Sequence, residues 1–289
     1  MNFLQTQRLL IITFGLSAFV GQATEAKAIS APNNYIDSFT ISTLFSQSTS
    51  TKVTKNTNVK FVRPKLPEGV APGGRRTGGG RRDTCPSVNP QLTALVPVTE
   101  EADNVKNVWG LTTAEHPTLW FYIPYTKSFG YPTEFVLLND NSVPIYKKNV
   151  SLPEQPGIIN ITLPTSISPL EFNKHYRWFL KVYCTQEKQS RPIYVEGVVS
   201  RVSLSEGINQ QLQNASPQQK LAIYAQNGIW YQALEILVQL KQENPRNSII
   251  QNSWNSLLTN IGLDEIVDES ILYQPPNHSK LINSAKPDF

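Results

Sequence analysis

The hydrophobic and polar positions of the chain follow three successive patterns. Between residues 92 and 202, apolar side chains alternate with other residues, and a period of two is typical of β-strands. After Leu204, apolar residues recur at intervals of three and four, which predicts helices. Residues 29–82 show no sustained period. The chain therefore divides into an irregular leader, a β domain and a helical segment.

The alternating part predicts about seven strands over roughly 110 residues, the size of a sandwich of two antiparallel sheets. In TLWFYIPY, Phe121 shares one face with Leu119 and Ile123, whereas Trp120 and Tyr122 share the other. The string HYRWFLKVYC alternates in the same way. We expect residues 85–205 to form an immunoglobulin/fibronectin-III-like antiparallel β-sandwich, so that the fold is mainly β.

A local spacing supports the sandwich. Leu170 lies six residues before Tyr176, at the start of an apolar-alternating strand. This resembles the tyrosine corner of fibronectin type III and related sandwiches, in which the tyrosine hydroxyl bonds back to the backbone. The resemblance concerns one corner of the fold, and it carries no information about function.

The helical segment, residues 215–263, is predicted to form a small α-helical C-terminal cap. Ser216-Pro217 is a helix start, and Asn227-Gly228 divides the segment into a hairpin, followed by a third helix. Tyr224, Gly228, Ala233 and Pro245 are placed as in one tetratricopeptide-like unit. A stack needs about three such units, so we expect a single docked unit. Residues 264–289 are predicted to be a frayed tail.

The first 28 residues have the pattern of a signal peptide. Arg8 precedes an apolar run over residues 9–20, and Ala26 and Ala28 form a small-x-small site. The run is shorter than the span of about 20 residues that crosses a membrane. We expect cleavage after Ala28 and an exported protein in the periplasm, the cell envelope or the extracellular space. An uncleaved membrane anchor is the alternative.

Charge is distributed unevenly along the chain. The net charge is only +4, yet residues 51–82 hold nine cations against Glu68 alone, and the rest of the mature chain sums to −5. Residues 29–84 are therefore predicted to be a flexible basic Gly/Arg-rich leader. Charged residues make up 17% and hydrophobic residues 39%, which excludes a highly charged disordered chain and a polytopic membrane protein.

Two cysteines and three histidines limit the chemistry. In an oxidising compartment Cys85 and Cys184 are expected to form a disulfide. Buried free thiols or a reactive cysteine are the alternatives. The histidines are too few and too scattered for a histidine-rich metal site, so neither a metal nor a cofactor is expected.

Two sets of residues are candidates for ligand binding. The leader's arginines suit an anionic polysaccharide, lipid headgroups or an acidic protein patch, whereas nucleic acid is not expected outside the cytoplasm. Outward aromatic rings and a histidine suit a carbohydrate or peptide platform, although the same residues also fit a buried turn. The candidates are Arg75, Arg76, Arg81, Arg82, Trp109, His116, Trp120 and Tyr122.

Several strings together resemble a known family. They include GLTTAEHPTLWFYIPY, GIINITLP, HYRWFLKVYC, VEGVVSRV and YAQNGIWYQAL, preceded by the arginine-glycine string that ends in TCP. The combination resembles the cyanobacterial domain-of-unknown-function family 928 over residues 73–263. The resemblance implies an exported cyanobacterial protein, and it carries over no activity and no catalytic residue.

Three functions remain open from the sequence. The first is an exported, non-catalytic cell-envelope binding or interaction protein. The second is a secreted hydrolase acting on wall or polysaccharide material, with carboxylates that qualify by residue type only: Glu100, Glu101, Asp103, Glu115, Glu134 and Glu171. The third is a structural scaffold that uses the helical unit. No catalytic residue is predicted, because no nucleophile elbow and no H-E-x-x-H string is present.

Overall fold

The computed structural model describes residues 59–66, 73–78, 85–100, 105–185, 188 and 191–272. All of them lie in one compact unit, Thr54–Phe289. The predicted signal peptide, most of the predicted leader and the end of the predicted tail lie outside the described residues.

The described chain has ten strands, of which all but the first lie in the alternating part of the sequence. In chain order they are β1 (Thr77–Gly78), β2 (Leu92–Ala94), β3 (Val98–Glu100), β4 (Lys106–Thr112), β5 (Thr118–Ile123), β6 (Thr133–Leu138), β7 (Pro144–Asn149), β8 (Gly157–Thr162), β9 (His175–Val182) and β10 (Ile193–Arg201). One sheet has the order β1-β2-β5-β8, and the other has the order β3-β4-β10-β9-β6-β7. The predicted mainly-β fold with two sheets is confirmed.

The larger sheet is mixed, whereas the sequence predicted antiparallel sheets. Strand β4 pairs in parallel with β10, and the other pairs of named strands are antiparallel. Strand β3 turns back onto β4, which then runs beside the last strand of the domain. A parallel pair needs a long connection, and here the strands between β4 and β10 supply it. Alternation alone does not reveal strand direction.

Aromatic rings fill the space between the sheets. Phe121 of β5 packs edge-on against Phe135 of β6 and Trp178 of β9, with ring centroids 6.2 and 5.4 Å apart. The predicted corner contact is present as well. The backbone N–H of Glu171 donates to the Tyr176 hydroxyl at 3.0 Å, and Leu170 is buried. This bond holds the start of β9 against the loop before it.

Four described helices follow the strands: α1 (Glu206–Gln213), α2 (Pro217–Gln226), α3 (Trp230–Glu243) and α4 (Ser248–Asn260). Ser216 caps α2 through a complete capping box with Gln219, as its sequence predicts. The sequence did not predict α1. Its only large apolar residues are Ile208 and Leu212, of which Leu212 is buried, and one pair at a spacing of four is too short a pattern to identify a helix.

Helix α3 joins the helices to the sandwich. Its Trp230 indole donates to the Leu95 carbonyl at 2.8 Å, and its Gln232 amide donates to the Thr112 hydroxyl at 2.9 Å. The Thr118 hydroxyl of β5 donates to Glu235 at 3.2 Å. Buried residues of both sheets and of α2, α3 and α4 belong to one hydrophobic cluster. The helices and strands therefore share a continuous core.

Cys85 and Cys184 form a disulfide, as expected for an oxidising compartment. Their Cα atoms are 5.2 Å apart, and 99 positions separate them in sequence. Cys85 precedes β2 of the four-stranded sheet, and Cys184 follows β9 of the six-stranded sheet. The bond therefore links segments attached to different sheets.

Two parts of the predicted leader pack onto the domain. Phe61 is buried edge-on against Trp230, with centroids 5.0 Å apart, and the Val62 N–H donates to the Ala225 carbonyl at 3.0 Å. Residues Thr77–Gly78 form β1. The sequence placed the folded part from Cys85 onward, because neither stretch has a hydrophobic period. Among the described residues, no helix has both the length and the apolar character that crossing a membrane requires.

Candidate functional site

The outer surface of the six-stranded sheet carries an unusual set of side chains. Along β9, Trp178, Leu180 and Val182 point into the core, whereas Arg177, Phe179 and Lys181 are half-buried on the other side. Strand alternation produces this division. We call this surface the open face and define it by the following residues: Arg75, Glu134, Lys147, Arg177, Phe179, Lys181, Tyr183, Lys188, Tyr194 and Glu196.

Glu134 is the centre of one half of the open face. Its side chain is 5% exposed, and three lysines surround it at 3.1 Å (Lys147), 3.2 Å (Lys188) and 3.9 Å (Lys181). The Tyr183 hydroxyl donates to the same carboxylate at 2.8 Å. Glu134 belongs to β6, and its lysines come from β7, β9 and the loop after β9, so the carboxylate holds cations from three other segments.

The cluster controls the ionisation of its members. Burial by itself raises the pKa of Glu134, but hydrogen bonds from Tyr183, Lys147 and Lys188 outweigh it and lower that pKa to about 2. Burial and the bond to Glu134 raise the pKa of Tyr183 to about 12. Glu134 is therefore an anion and Tyr183 a neutral donor at physiological pH. One negative charge faces three positive ones, which leaves this cluster cationic.

Aromatic rings support cations in the other half of the open face. The Arg75 guanidinium lies over the Tyr194 ring at 4.9 Å from its centroid, and the Lys181 ammonium lies 5.3 Å from the Phe179 centroid. Such cation–π contacts hold a charge in place while its polar atoms stay accessible to water. Phe179 and Tyr194 are half-buried neighbours on adjacent strands, with centroids 6.4 Å apart.

Carboxylates compensate only part of this positive charge. Arg177 donates to Glu196 at 2.6 Å, and Glu196 is tied to the leader through two backbone hydrogen bonds of 2.8 Å with Arg75. Within the open face as defined, five cations stand against Glu134 and Glu196. The surface is thus a positively charged, partly aromatic platform, and anionic ligands suit such a surface.

The aromatic residues predicted to form a platform lie elsewhere and are buried. Trp120 and Tyr122 are 2% and 3% exposed, and Trp109 is buried as well. The prediction assumed that one side of β5 faces solvent. Instead, Glu235 of α3 accepts a hydrogen bond from Thr118 on that side. Burial and the nearby Glu269 carboxylate raise the pKa of Tyr122 to about 12. The helical segment covers these rings, so they offer no platform.

The adjacent candidates Glu115 and His116 have different partners. The His116 Nε2 donates to the Ile167 carbonyl at 3.0 Å. Glu115 forms an ion pair with Arg201 at 3.2 Å. Both contacts secure the loop between β4 and β5, in keeping with the turn that the sequence left as the alternative.

Arg75 and Arg76, the two described arginines among the candidates for ligand binding, have different surroundings. Arg75 is exposed on the open face, whereas Arg76 donates to the Ile261 and Gly262 carbonyls at 2.5 and 2.7 Å. These carbonyls lie at the C-terminal end of α4, where cations are favourable. Arg76 therefore has a structural partner, and Arg75 remains a candidate for binding. Arg81 and Arg82 lie outside the described residues.

A histidine–serine contact also lies within the sandwich. The His175 Nδ1 and the Ser200 Oγ are 2.7 Å apart, a distance that suits nucleophile activation. Ser200 is only 1% exposed, however, and the bond between Asp140 and His175 at 2.8 Å is made by the His175 backbone N–H. A substrate has no access to this hydroxyl. Among the described residues, no three His, Cys, Asp or Glu side chains are grouped to hold a metal ion.

The chain was compared with known proteins. Residues 76–271 match the model of a family described as Domain of Unknown Function (DUF928), and this range covers more than half of the chain. The chain belongs to the DUF928 family. No curated protein and no solved structure matches it. The cyanobacterial origin that the sequence resemblance implies stays a prediction.

All residues of the open face except Arg75 lie within the range that matches the DUF928 family. The matched range includes every named strand and helix of the described chain, so one family domain contains the sandwich and its helices. It ends at Ile271, which forms a β-bridge with Ile158 of β8. Arg75 precedes the match by one residue, whereas the Glu134 cluster, Phe179 and Tyr194 lie inside it.

Proposed function

We propose that this DUF928 protein is an exported, non-catalytic binding protein of the cell envelope and that its open face binds an anionic polysaccharide. One observation carries the proposal: three lysines converge on the buried carboxylate of Glu134, and one further cation, Arg75, lies over the Tyr194 ring beside them. The excess positive charge attracts a polyanion, and the rings supply contact area for sugar units.

Export is consistent with the chemistry of the described chain. A disulfide between Cys85 and Cys184 persists in oxidising compartments, and the sequence predicts a signal peptide ending at Ala28. An exported protein with a cationic surface meets acidic wall and capsule polymers directly. Lipid headgroups and acidic envelope proteins share that negative charge, and the experiment below separates them from polysaccharide.

We also infer that the sandwich is immunoglobulin-like. Strands β2, β5 and β8 share one sheet, while β10, β9, β6 and β7 follow one another in the second sheet, an order that corresponds to the division of strands in immunoglobulin domains. The bond from Glu171 to the Tyr176 hydroxyl supports the same inference. Domains of this kind commonly bind ligands through the loops at one end of the sandwich.

The test measures retention of the mature protein on immobilised polygalacturonate, an acidic polysaccharide, as salt is raised. The double variant Lys147→Gln/Lys188→Gln removes two cations of the open face. We expect its affinity to fall about tenfold or more, because each cation near an anionic surface contributes about 1 kcal/mol. Binding of the wild type should weaken steadily with salt.

The matched control is Lys148→Gln/Arg246→Gln. Lys148 is exposed on the same strand as Lys147 but on its other side, and Arg246 is exposed in the helical segment. The control should bind within about twofold of the wild type, since long-range charge effects are screened by salt. Equal losses in both double variants would contradict a localised site. Stronger binding to vesicles of anionic lipid than to polygalacturonate would reassign the partner to lipid.

A further inference from the structure

Three loops meet at one end of the sandwich and form a cleft beside the open face. They connect β5 to β6, β7 to β8 and β9 to β10. The cleft has a volume of about 410 Å³ and is lined by Tyr131 and Ser151 of the first two loops, by Lys188 as the described residue of the third, and by Asn149 at the end of β7. This volume lies within the range of roughly 300–1,000 Å³ found for small-molecule sites. We call it the loop-end cleft.

Backbone hydrogen bonds hold the walls of the cleft together. The Lys127 N–H donates to the Pro153 carbonyl at 2.7 Å, which joins the first loop to the second. The Tyr183 N–H donates to the Pro132 carbonyl at 2.9 Å, which joins the third loop to the first. The disulfide at Cys184 adds a covalent attachment next to Tyr183. A cleft fixed in this way needs little ordering when a ligand enters.

One wall of the cleft is aromatic. The Tyr131 ring packs against Phe129 and Tyr125, with centroids 5.1 and 5.7 Å away. Phe129 is 40% exposed, an unusual position for a large apolar ring on a surface that otherwise carries lysines. Rings that are partly exposed next to polar groups are typical of sites that hold amphipathic ligands. The apolar face of a pyranose ring fits such a wall.

The other residues that line the cleft include polar and cationic side chains. Asn149 and Ser151 offer amide and hydroxyl groups that can exchange hydrogen bonds with sugar hydroxyls. Lys188 belongs both to the cleft and to the Glu134 cluster. Lys127 forms an ion pair with Glu154 at 3.1 Å, but both side chains are largely exposed, so the pair is weak and an incoming carboxylate competes with it.

Together these groups point to one ligand chemistry. A bare inorganic anion would use the lysines but not the aromatic wall, and a neutral sugar would use the wall but not the lysines. We propose that the loop-end cleft binds one acidic sugar unit of the polysaccharide, a proposal that rests on the function proposed above. Its carboxylate lies toward Lys188, its ring against Tyr131, and the polymer continues across the open face.

The test compares two soluble polyanions of equal charge number, oligogalacturonate and oligoglutamate, by isothermal titration calorimetry. The wild type should bind oligogalacturonate about tenfold more tightly, since only this ligand has rings and hydroxyls for the cleft. Asn149→Ala and Tyr131→Ala should each reduce that preference severalfold and leave oligoglutamate binding unchanged. Asn141→Ala, an exposed residue in the turn between β6 and β7, should change neither and serves as the control.

Each other result has a defined meaning. Equal affinity of the wild type for both polyanions would contradict sugar binding in the loop-end cleft and would remain consistent with polyanion binding by the open face. Binding of neutral maltohexaose as tight as that of oligogalacturonate would overturn the acidic part of the assignment. Failure of both polyanions to bind would overturn the proposed function and this inference together. Because Asn149 is exposed, its variant tests the cleft even if Tyr131→Ala unfolds the domain.

Discussion

One strand of each sheet, β5 and β9, differs from the other in how far its outward side chains are buried. On the four-stranded sheet, the outward residues of β5, Thr118, Trp120 and Tyr122, are buried under the helical segment, and we call them the covered face. On the six-stranded sheet, the outward residues of β9 are half-buried, and Arg177 and Lys181 among them are charged. Both strands alternate equally well in sequence. The chemistry of the outward residues, rather than their spacing, distinguishes a covered surface from an open one.

This difference explains why Trp120 and Tyr122 of β5 were predicted to bind a ligand although they are buried. Outward tryptophan and tyrosine suggest a platform when a strand is considered alone. A folded chain gains more free energy by burying such rings than by exposing them, and here a later helical segment covers them. Arginine and lysine resist burial, so Arg177 and Lys181 mark the surface that stays open. The predictions below test this contrast.

The largest expected effect comes from truncating one ring on each face. Trp120→Ala should lower the free energy of unfolding by about 3–5 kcal/mol, because it leaves a cavity between β5 and the helical segment. Phe179→Ala on the open face should lower it by no more than about 1.5 kcal/mol, since the ring is only half-buried. Urea titrations followed by far-UV circular dichroism measure both. Similar losses would show that the two faces do not differ as described.

An intermediate effect concerns the carboxylates of the two faces. The pKa of Glu134 is lowered to about 2, so its contribution to stability is present above the ordinary value of 4.5 and is lost as pH falls from about 5 to 2. Unfolding free energy should drop by about 1–3 kcal/mol over this range, after allowance for solvent screening of the exposed lysines. Glu134→Gln should remove most of this pH dependence.

Glu235 beside the covered face should behave with the opposite sign. Burial raises the pKa of this carboxyl, and the hydrogen bond from Thr118 offsets only part of the rise. A raised pKa means that the folded state prefers the protonated form, so stability declines as pH rises through that pKa. Glu235→Gln should therefore raise the free energy of unfolding relative to the wild type, and by more at pH 7 than at pH 4. If both variants shift the pH dependence in the same direction, the electrostatic contrast between the faces is wrong.

The sequence predicted the elements better than it predicted their arrangement. Alternation identified the long strands, Ser216 identified the start of α2, and the spacing of Leu170 and Tyr176 identified a real contact. The parallel pairing of β4 with β10 and the burial of Trp120 depend on contacts between residues far apart in sequence, which a local pattern does not contain.

The candidate site was harder to predict than the fold. Glu134 lies within the apolar string TEFVLL, and its lysines come from three other segments of the chain. Only the outward charges of HYRWFLKV gave a local signal, since Arg177 and Lys181 share a side of β9 with Phe179. Of the leader arginines proposed to bind a ligand, Arg75 lies on the open face, whereas its neighbour Arg76 contacts the end of α4.

Arg75 and Arg76 give the smallest expected effects on the free energy of unfolding, and we expect only one of the two to affect binding. Arg76→Ala removes two hydrogen bonds to the last carbonyls of α4 and should lower the free energy of unfolding by about 1–2 kcal/mol without changing polygalacturonate binding. Arg75→Ala removes a cation over Tyr194 and should lower stability by less than about 1 kcal/mol while weakening polygalacturonate binding severalfold. Urea titration and retention on the immobilised polymer measure the two quantities on the same samples. If Arg76→Ala reduces binding and Arg75→Ala does not, the anion-binding surface lies at the end of α4, where Arg76 and Arg63 donate to backbone carbonyls.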